Sequence, residues 1–234
     1  KEESVISSRI FERLEGMALV DKYNAYQALD DEWTKTAIDL EILQTEGFDA
    51  ARKVDPNLVL KKKDGYDQEV QEGWVGHVIP FELVQSTLLK AEADALKQKV
   101  DRLAAIQSTY EEVLDSLSEE DKESEVLNEA KDAFVASVLA RSIKDLFGTL
   151  AKAKTEVLAY EDDSFERKLV QVQQLMDEEK ELKVQVRKDA AALHLLTKKT
   201  IEELTDEQVN KLLEAKWIDP LMTALFKIPD NLMS

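Results

Sequence analysis

The sequence predicts a mainly α protein: a small mixed N-terminal part with a β-hairpin, then long antiparallel coiled-coil helical arms, then a short C-terminal helical element. Three observations lead there. The 234 residues are 34% charged with only 6 Gly and 4 Pro, a composition that favours long, solvent-washed helices over a sheet-rich enzyme. The glycines Gly16, Gly47, Gly65, Gly73 and Gly76 and the tryptophans Trp33 and Trp74 all precede Pro80, so the compact part comes first. Beyond Phe81, apolar residues recur with the seven-residue period of a coiled-coil seam. These shifts divide the chain into residues 1–80, 81–200 and 201–234.

In the first part, Ile6, Ile10 and Leu14 predict a short helix ending at Gly16. Tyr26, Leu29, Trp33, Thr36, Ala37 and Leu40 share the face of a second helix, which Gly47 should stop. Leu58 to Leu60 and Trp74 to Ile79 look extended, the latter with Val75, His77 and Ile79 on one face. Lys61-Lys62-Lys63-Asp64-Gly65 reads as the polar turn between them. Pro80 suits the start of a helix.

From Phe81 to Leu117 the expectation is one continuous helix of about 55 Å. Leu89, Leu96, Leu103, Tyr110 and Leu117 form one half of its seam. Ala93, Val100 and Leu114 supply the interleaved positions, with Gln107 a polar exception. Such a stripe needs a partner to be stable. Ser118-Glu119-Glu120-Asp121 resembles a cap, and Val126 to Ala159 reads as helix again, with a kink at Gly148. Its apolar face would hold Leu139, Ile143, Leu146, Leu150, Ala153 and Val157. Glu161-Asp162-Asp163-Ser164 offers a cap to a last arm lined by Phe165, Leu169, Val172, Leu175, Leu182, Val186 and Leu193. Thr205-Asp206-Glu207-Gln208 is a capping box opening a short helix, which Asp219-Pro220 should end. Leu221, Leu225 and Phe226 form a terminal element that docks back.

The net charge of −18 disfavours an electrostatic DNA-binding face and favours a protein partner. Without Cys there is no disulfide or thiolate metal site, and no apolar run approaches the ~18 residues of a membrane span. Gly73-Trp74-Val75-Gly76 is too sparse for a phosphate cradle, and neither His77 nor His194 has a partner at metal-ligand spacing. His77 reads as a packed or interfacial histidine rather than a general base, and His194 as structural. Acidic runs such as Asp177-Glu178-Glu179, and the basic Lys61-Lys62-Lys63 and Lys198-Lys199, read as solvated surface. No catalytic, cofactor-binding or metal-ligating residue is expected.

Two segments carry more than helical periodicity. Val20-Asp21-Lys22-Tyr23-Asn24-Ala25-Tyr26-Gln27-Ala28-Leu29-Asp30-Asp31-Glu32-Trp33 resembles the D-x-Y-x-x-Y-Q-x-L-x-x-x-W segment beyond the catalytic core of methyltransferase subunits of type I restriction-modification systems. Gly73-Trp74-Val75-Gly76-His77-Val78-Ile79-Pro80 resembles the G-W-x-x-x-[LVI]-[VI]-P segment that precedes their long helices. The arms, the helix start at Leu204-Thr205-Asp206-Glu207-Gln208-Val209 and the Lys216-Trp217 tail follow the same layout.

The resemblance implies a cytoplasmic parent that methylates adenine N6 in DNA with S-adenosylmethionine, alongside a specificity subunit and, for restriction, a motor-nuclease subunit. The family's Asn-Pro-Pro-Phe/Tyr signature and glycine-rich cofactor loop do not occur here, since no two prolines are adjacent. With Lys1 in place of Met, the chain is read as an excised C-terminal piece, with both motifs upstream. The expected role is assembly: Leu89, Leu96, Val100, Leu103, Tyr110 and Leu114 contact helices of the specificity subunit, and DNA is met only through the complex. The competing reading is a free-standing coiled-coil scaffold.

Overall fold

The computed structural model describes residues 22–63 and 66–231. The expected helix through Ile6, Ile10 and Leu14 lies outside them, as do the turn residues Asp64 and Gly65 and the side chains of Tyr26, Leu29, Leu225 and Phe226. The fold is mainly α with one two-stranded antiparallel sheet among the described residues. The chain divides into two compact units, Lys1–Lys90 with Leu193–Ser234, and Ala91–Ala192.

In the first unit, α1 (Lys22–Glu46) ends where expected, the Gly47 amide donating to the Leu43 carbonyl. A 3-10 turn, Phe48–Arg52, buries Ala50 and Ala51 and leads into β1 (Val54–Lys63), which pairs with β2 (Tyr66–Gly76) from Val54 opposite Gly76 to Lys63 opposite Tyr66. The predicted hairpin is present, with two corrections. Lys61, Lys62 and Lys63 belong to the strand rather than to the turn. The second strand stops at Gly76, so the alternation of Val75, His77 and Ile79 across a strand fails. The physical reason is at Gly76, where a Cβ would meet the Ile79 carbonyl oxygen: the chain doubles back instead of continuing as a strand, and Val78 and Ile79 are both buried.

Pro80 caps α2 (Phe81–Thr87) with an extended backbone, as its position suggested. The single helix expected from Phe81 to Leu117 is, however, broken. α2 ends at Thr87 and α3 spans Lys90–Asp115. At the break the Val84 carbonyl accepts from both the Leu88 and the Leu89 amide, while the hydroxyls of Ser86 and Thr87 donate to the Leu83 carbonyl. Hydroxyl back-bonding of this kind competes with the helical ladder, and burial of Leu89 rewards the turn.

The second unit is built on α3 and on α6 (Phe165–Glu202), a helix of about 57 Å of which residues up to Ala192 fall in this unit. The two run antiparallel: Lys99 pairs with Asp189 at 2.6 Å, Arg102 with Glu178 at 2.7 Å, the Tyr110 hydroxyl donates to Glu179 at 2.9 Å, and Lys168 Nζ donates to the Ser116 carbonyl at 2.8 Å. Between them come α4 (Ala136–Phe147) and α5 (Leu150–Glu156).

The expected helix from Val126 to Ala159 is thus corrected. Its first ten residues form a small loop closed by a bridge between Leu127 and Phe134, with Asn128 Oδ1 accepting from the amides of Asp132 and Ala133 and Lys131 at φ +58°. Asparagine side chains stabilise such turns at the expense of helix. Gly148, at φ +76°, terminates α4 rather than kinking it, and Thr149 caps α5 by accepting from the Lys152 amide. Within α4 Leu139 and Ile143 are buried as expected, but the third buried position is Phe147, while Leu146 is exposed. Leu117, Leu127, Leu139, Ile143, Phe147, Val157, Leu169 and Val172 are among the residues of one buried cluster in this unit.

Returning to the first unit, the capping box forms as expected: the Gln208 amide donates to Thr205 Oγ1 at 3.2 Å and Gln208 Oε1 accepts from the Thr205 amide at 2.9 Å. The helix it opens, α7 (Asp206–Asn231), does not stop at Asp219-Pro220 but runs through it. Proline removes one helical hydrogen bond, and packing here outweighs that loss. Just upstream, Trp217 Nε1 donates to Asp39 of α1 at 2.9 Å, Lys216 pairs with the same carboxylate at 2.5 Å, and Val209, Leu212 and Leu213 are buried.

Candidate functional site

Two places gather the residues that the sequence singled out. One is the segment Gly73 to Pro80 in the first unit. The other is the seam of α3 in the second.

The segment Gly73 to Pro80 is held from three sides. Gly73 sits at φ +75°, and a Cβ there would come within 2.5 Å of His194 Nε2. That close approach lets the Trp74 amide donate to His194 Nε2 at 2.9 Å, which fixes the tautomer with the proton on Nδ1. The His194 ring lies 4.9 Å from Phe81, so this histidine is structural, in keeping with its expected role. The Trp74 ring carries Lys198 Nζ 3.7 Å above its centre. Lys198 therefore is not merely solvated surface, the aromatic missing beside it in sequence coming from β2, whereas Lys199 is exposed as expected. A Cβ on Gly76 would lie 1.7 Å from the Ile79 carbonyl oxygen, so the chain doubles back there only because residue 76 has no side chain. Lys216 closes the third side by donating to the Val78 carbonyl at 2.6 Å.

A cavity of about 470 Å³ opens beside this segment, lined by Trp74, His77, Phe81, Gln85, His194 and Lys216 among others. His77 is the titratable group of most interest. Its Nδ1 lies 2.6 Å from Asp55 Oδ2 and its Nε2 lies 3.2 Å from Glu46 Oε1. The bond to Asp55, and then that to Glu46, holds the imidazole above its ordinary value, against the opposing effect of burial. Glu46 is held below the usual carboxylate range by Lys53 at 2.7 Å and then by His77. Both His77 ring nitrogens are taken up by carboxylates, Asp55 on Nδ1 and Glu46 on Nε2, which argues against general-base work. Among the described residues no group of three His, Asp or Glu is arranged to hold a metal ion.

Along α3 the burial corrects the expected seam. Leu89 and Leu117 are buried and Leu96, Leu103 and Tyr110 half-buried, as one half of the heptad pattern requires. In the other half Ala93 is half-buried as expected, but from Lys99 onward the stripe lies one residue earlier than expected. Ile106 is fully buried at 0% exposure and Val113 is buried, whereas Val100 is 46% exposed. Lys99 occupies the same stripe, half-buried, with its ammonium on Asp189. The polar exception Gln107 is thereby explained: it flanks the seam, and its Nε2 donates to Glu179 at 3.1 Å. The long aliphatic stem of Lys99 fills a seam position that a search for apolar letters passes over.

Of the six residues expected to meet a partner, Leu114 and Tyr110 pack partly against the buried cluster, Leu89 is buried, Leu96 and Leu103 are half-covered, and Val100 is open. The stripe is deeply covered from Ile106 to Leu117 and thinly covered from Ala93 to Leu103. Facing that thin stretch on α6, Leu182, Val186 and Asp189 are also only half-buried.

Glu179 organises the middle of the helix pair. It accepts from Tyr110 and Gln107 of α3 and pairs with Lys183 at 2.5 Å. Burial raises its carboxyl, but Lys183, Tyr110 and Gln107 together hold it below the usual range. Burial, and then Glu179, push the Tyr110 phenol well above its ordinary value. No helix among the described residues is long and apolar enough to cross a membrane.

No family model, no curated protein and no solved structure matches the chain.

Proposed function

We propose that the chain is an assembly module, the C-terminal helical region of a type I restriction-modification methyltransferase subunit, and that it associates with the specificity subunit through helix–helix contacts. The observation that carries this reading is the uneven coverage of the α3 seam. A pair of helices alone buries a coiled-coil stripe incompletely, and from Ala93 to Leu103 the stripe is no more than half-buried. A third or fourth helix supplied by a partner would complete it.

On this reading the parent subunit takes S-adenosylmethionine and methylates adenine in cytoplasmic DNA, while this region holds no cofactor of its own. A motor-nuclease subunit and DNA are reached through the assembly. The strong net negative charge supports a protein partner over direct phosphate contact.

Sedimentation of the chain with a type I specificity subunit tests the reading. Association is expected, and Val100→Asp, at an open position where the fold tolerates charge, should weaken it at least tenfold with unchanged helical ellipticity. Self-association without any affinity for the specificity subunit would favour a free-standing coiled-coil scaffold instead. Undiminished binding by Val100→Asp together with Leu96→Asp would show that this seam is not the contact.

A further inference from the structure

We infer that His77 is a proton-controlled latch that fastens the C-terminal end of α1 to the turn after β2 and lets go of it as the pH rises. The inference stands on geometry. Both ring nitrogens face carboxylate oxygens, Asp55 Oδ2 on Nδ1 and Glu46 Oε1 on Nε2. An ionised carboxylate only accepts, so both contacts are hydrogen bonds only when both nitrogens carry protons, which is the imidazolium.

The two contacts respond differently to loss of that proton. Nδ1 keeps its hydrogen on the shorter bond to Asp55, which is in β1, adjacent in the sheet to β2. Nε2 is left as a bare lone pair 3.2 Å from Glu46 Oε1, and attraction turns to repulsion. Glu46 is the last residue of α1, where the helix dipole is already unfavourable to a negative charge. His77 and Lys53 are the cations that offset it. The other charged or titratable groups around the His77 cavity are Glu82 from α2, His194 from α6 and Lys216 from α7, the last committed to Asp39 and the Val78 carbonyl. The His77 amide donates to the Lys53 carbonyl at 3.0 Å, so the backbone around the ring stays anchored while the Glu46 contact opens.

The sign follows from the direction of the shift. The folded chain binds the His77 proton more tightly than the unfolded chain, so the latch is fully closed below the ordinary histidine value of about 6.5 and opens as pH rises through the higher folded value. The test is an NMR titration of the His77 ring in the full chain, read beside amide exchange at Gly47, whose amide closes the last turn of α1. His77 should titrate above the ordinary value, and Gly47 exchange, corrected for its intrinsic pH dependence, should rise over the same interval. Glu46→Gln should lower the His77 midpoint and abolish the pH-linked part of the Gly47 exchange, since an amide can donate to the neutral ring. Glu46 is exposed, so this variant should fold; Asp55→Asn provides a second, larger downward shift. A wild-type midpoint at or below the ordinary value, or one that Glu46→Gln leaves in place, would overturn the latch.

Discussion

Replacing Ile106 by Ala, and Val100 by Ala as its counterpart, distinguishes the two possible seams of α3. Ile106 is fully buried and points into the helix pair. Truncating such a residue removes its transfer free energy and leaves a cavity, about 3 kcal/mol in all within a usual span of about 2–5. Val100 is 46% exposed, so truncation there forfeits about 0.5–1 kcal/mol of burial. The better helix propensity of Ala returns up to about 0.5 kcal/mol of that. The expected difference is therefore more than about 2 kcal/mol in favour of Val100→Ala, by the same figures. In urea, with a slope of about 2 kcal/mol per molar, Ile106→Ala should lower the midpoint by about 1.5 M and Val100→Ala by less than about 0.5 M. The transition should be followed by helical ellipticity. Trp33, Trp74 and Trp217 all lie in the first unit, so their fluorescence reports the other half of the chain and serves as a control. Equal losses for the two variants would refute the seam read from the burial, and with it the argument that the stretch from Ala93 to Leu103 is thinly covered.

Gly76→Ala should cost more than about 2 kcal/mol, because its Cβ meets a backbone carbonyl rather than a yielding side chain, and a thermal melt would show it; retention of wild-type stability would mean the turn does not double back as described. Asp39→Asn should leave Lys216 without its carboxylate partner and cost about 2 kcal/mol, discounted because Lys216 is partly solvated, with a blue shift of Trp217 emission as its indole loses an anionic acceptor. Tyr110→Phe should make the second unit less sensitive to alkali. The folded phenol value is raised, so the stability it confers is complete below the unfolded value of about 10 and is lost as pH rises toward the folded one. A pH-jump followed by ellipticity would test this, and identical alkaline unfolding of the variant would refute it.

What the sequence disclosed was mostly local. The Thr205 capping box, the stop at Gly47, the cap at Pro80 and the Ser164 hydroxyl that accepts from the Arg167 amide all depend on residues three or four apart. One half of the α3 seam was legible for the same reason. The other half was hidden because Lys99 takes a seam position with its stem, and because an apolar residue at Val100 satisfies a four-residue step as well as Ile106 satisfies a three-residue one. The break at Leu88-Leu89 has no Gly or Pro to announce it and rests on hydroxyl back-bonding. Pro220 announces a break that packing on α1 overrides. The carboxylates of His77 lie 22 and 31 residues away, and the Trp74–Lys198 contact joins residues that no spacing rule connects.

The segment from Gly73 to Pro80 bears on how much the resemblance implies. The positions that match the family pattern already serve the fold from within. Gly73 admits His194, and Trp74 presents its amide to that ring and its face to Lys198. Val78 and Ile79 are buried, and Pro80 caps α2. These residues therefore serve to join the hairpin to the helix that follows. A chain could keep every one of these residues and change partners freely, provided that the substitutions fell on the seam. Partner choice must then be sought between Ala93 and Leu103 on α3 and around Leu182 and Val186 on α6, where the fold makes few demands of its own. If the proposed assembly role holds, charge-reversing substitutions at those positions should abolish partner binding while leaving the fold intact, whereas substitutions at Gly73 or Gly76 should lower stability first.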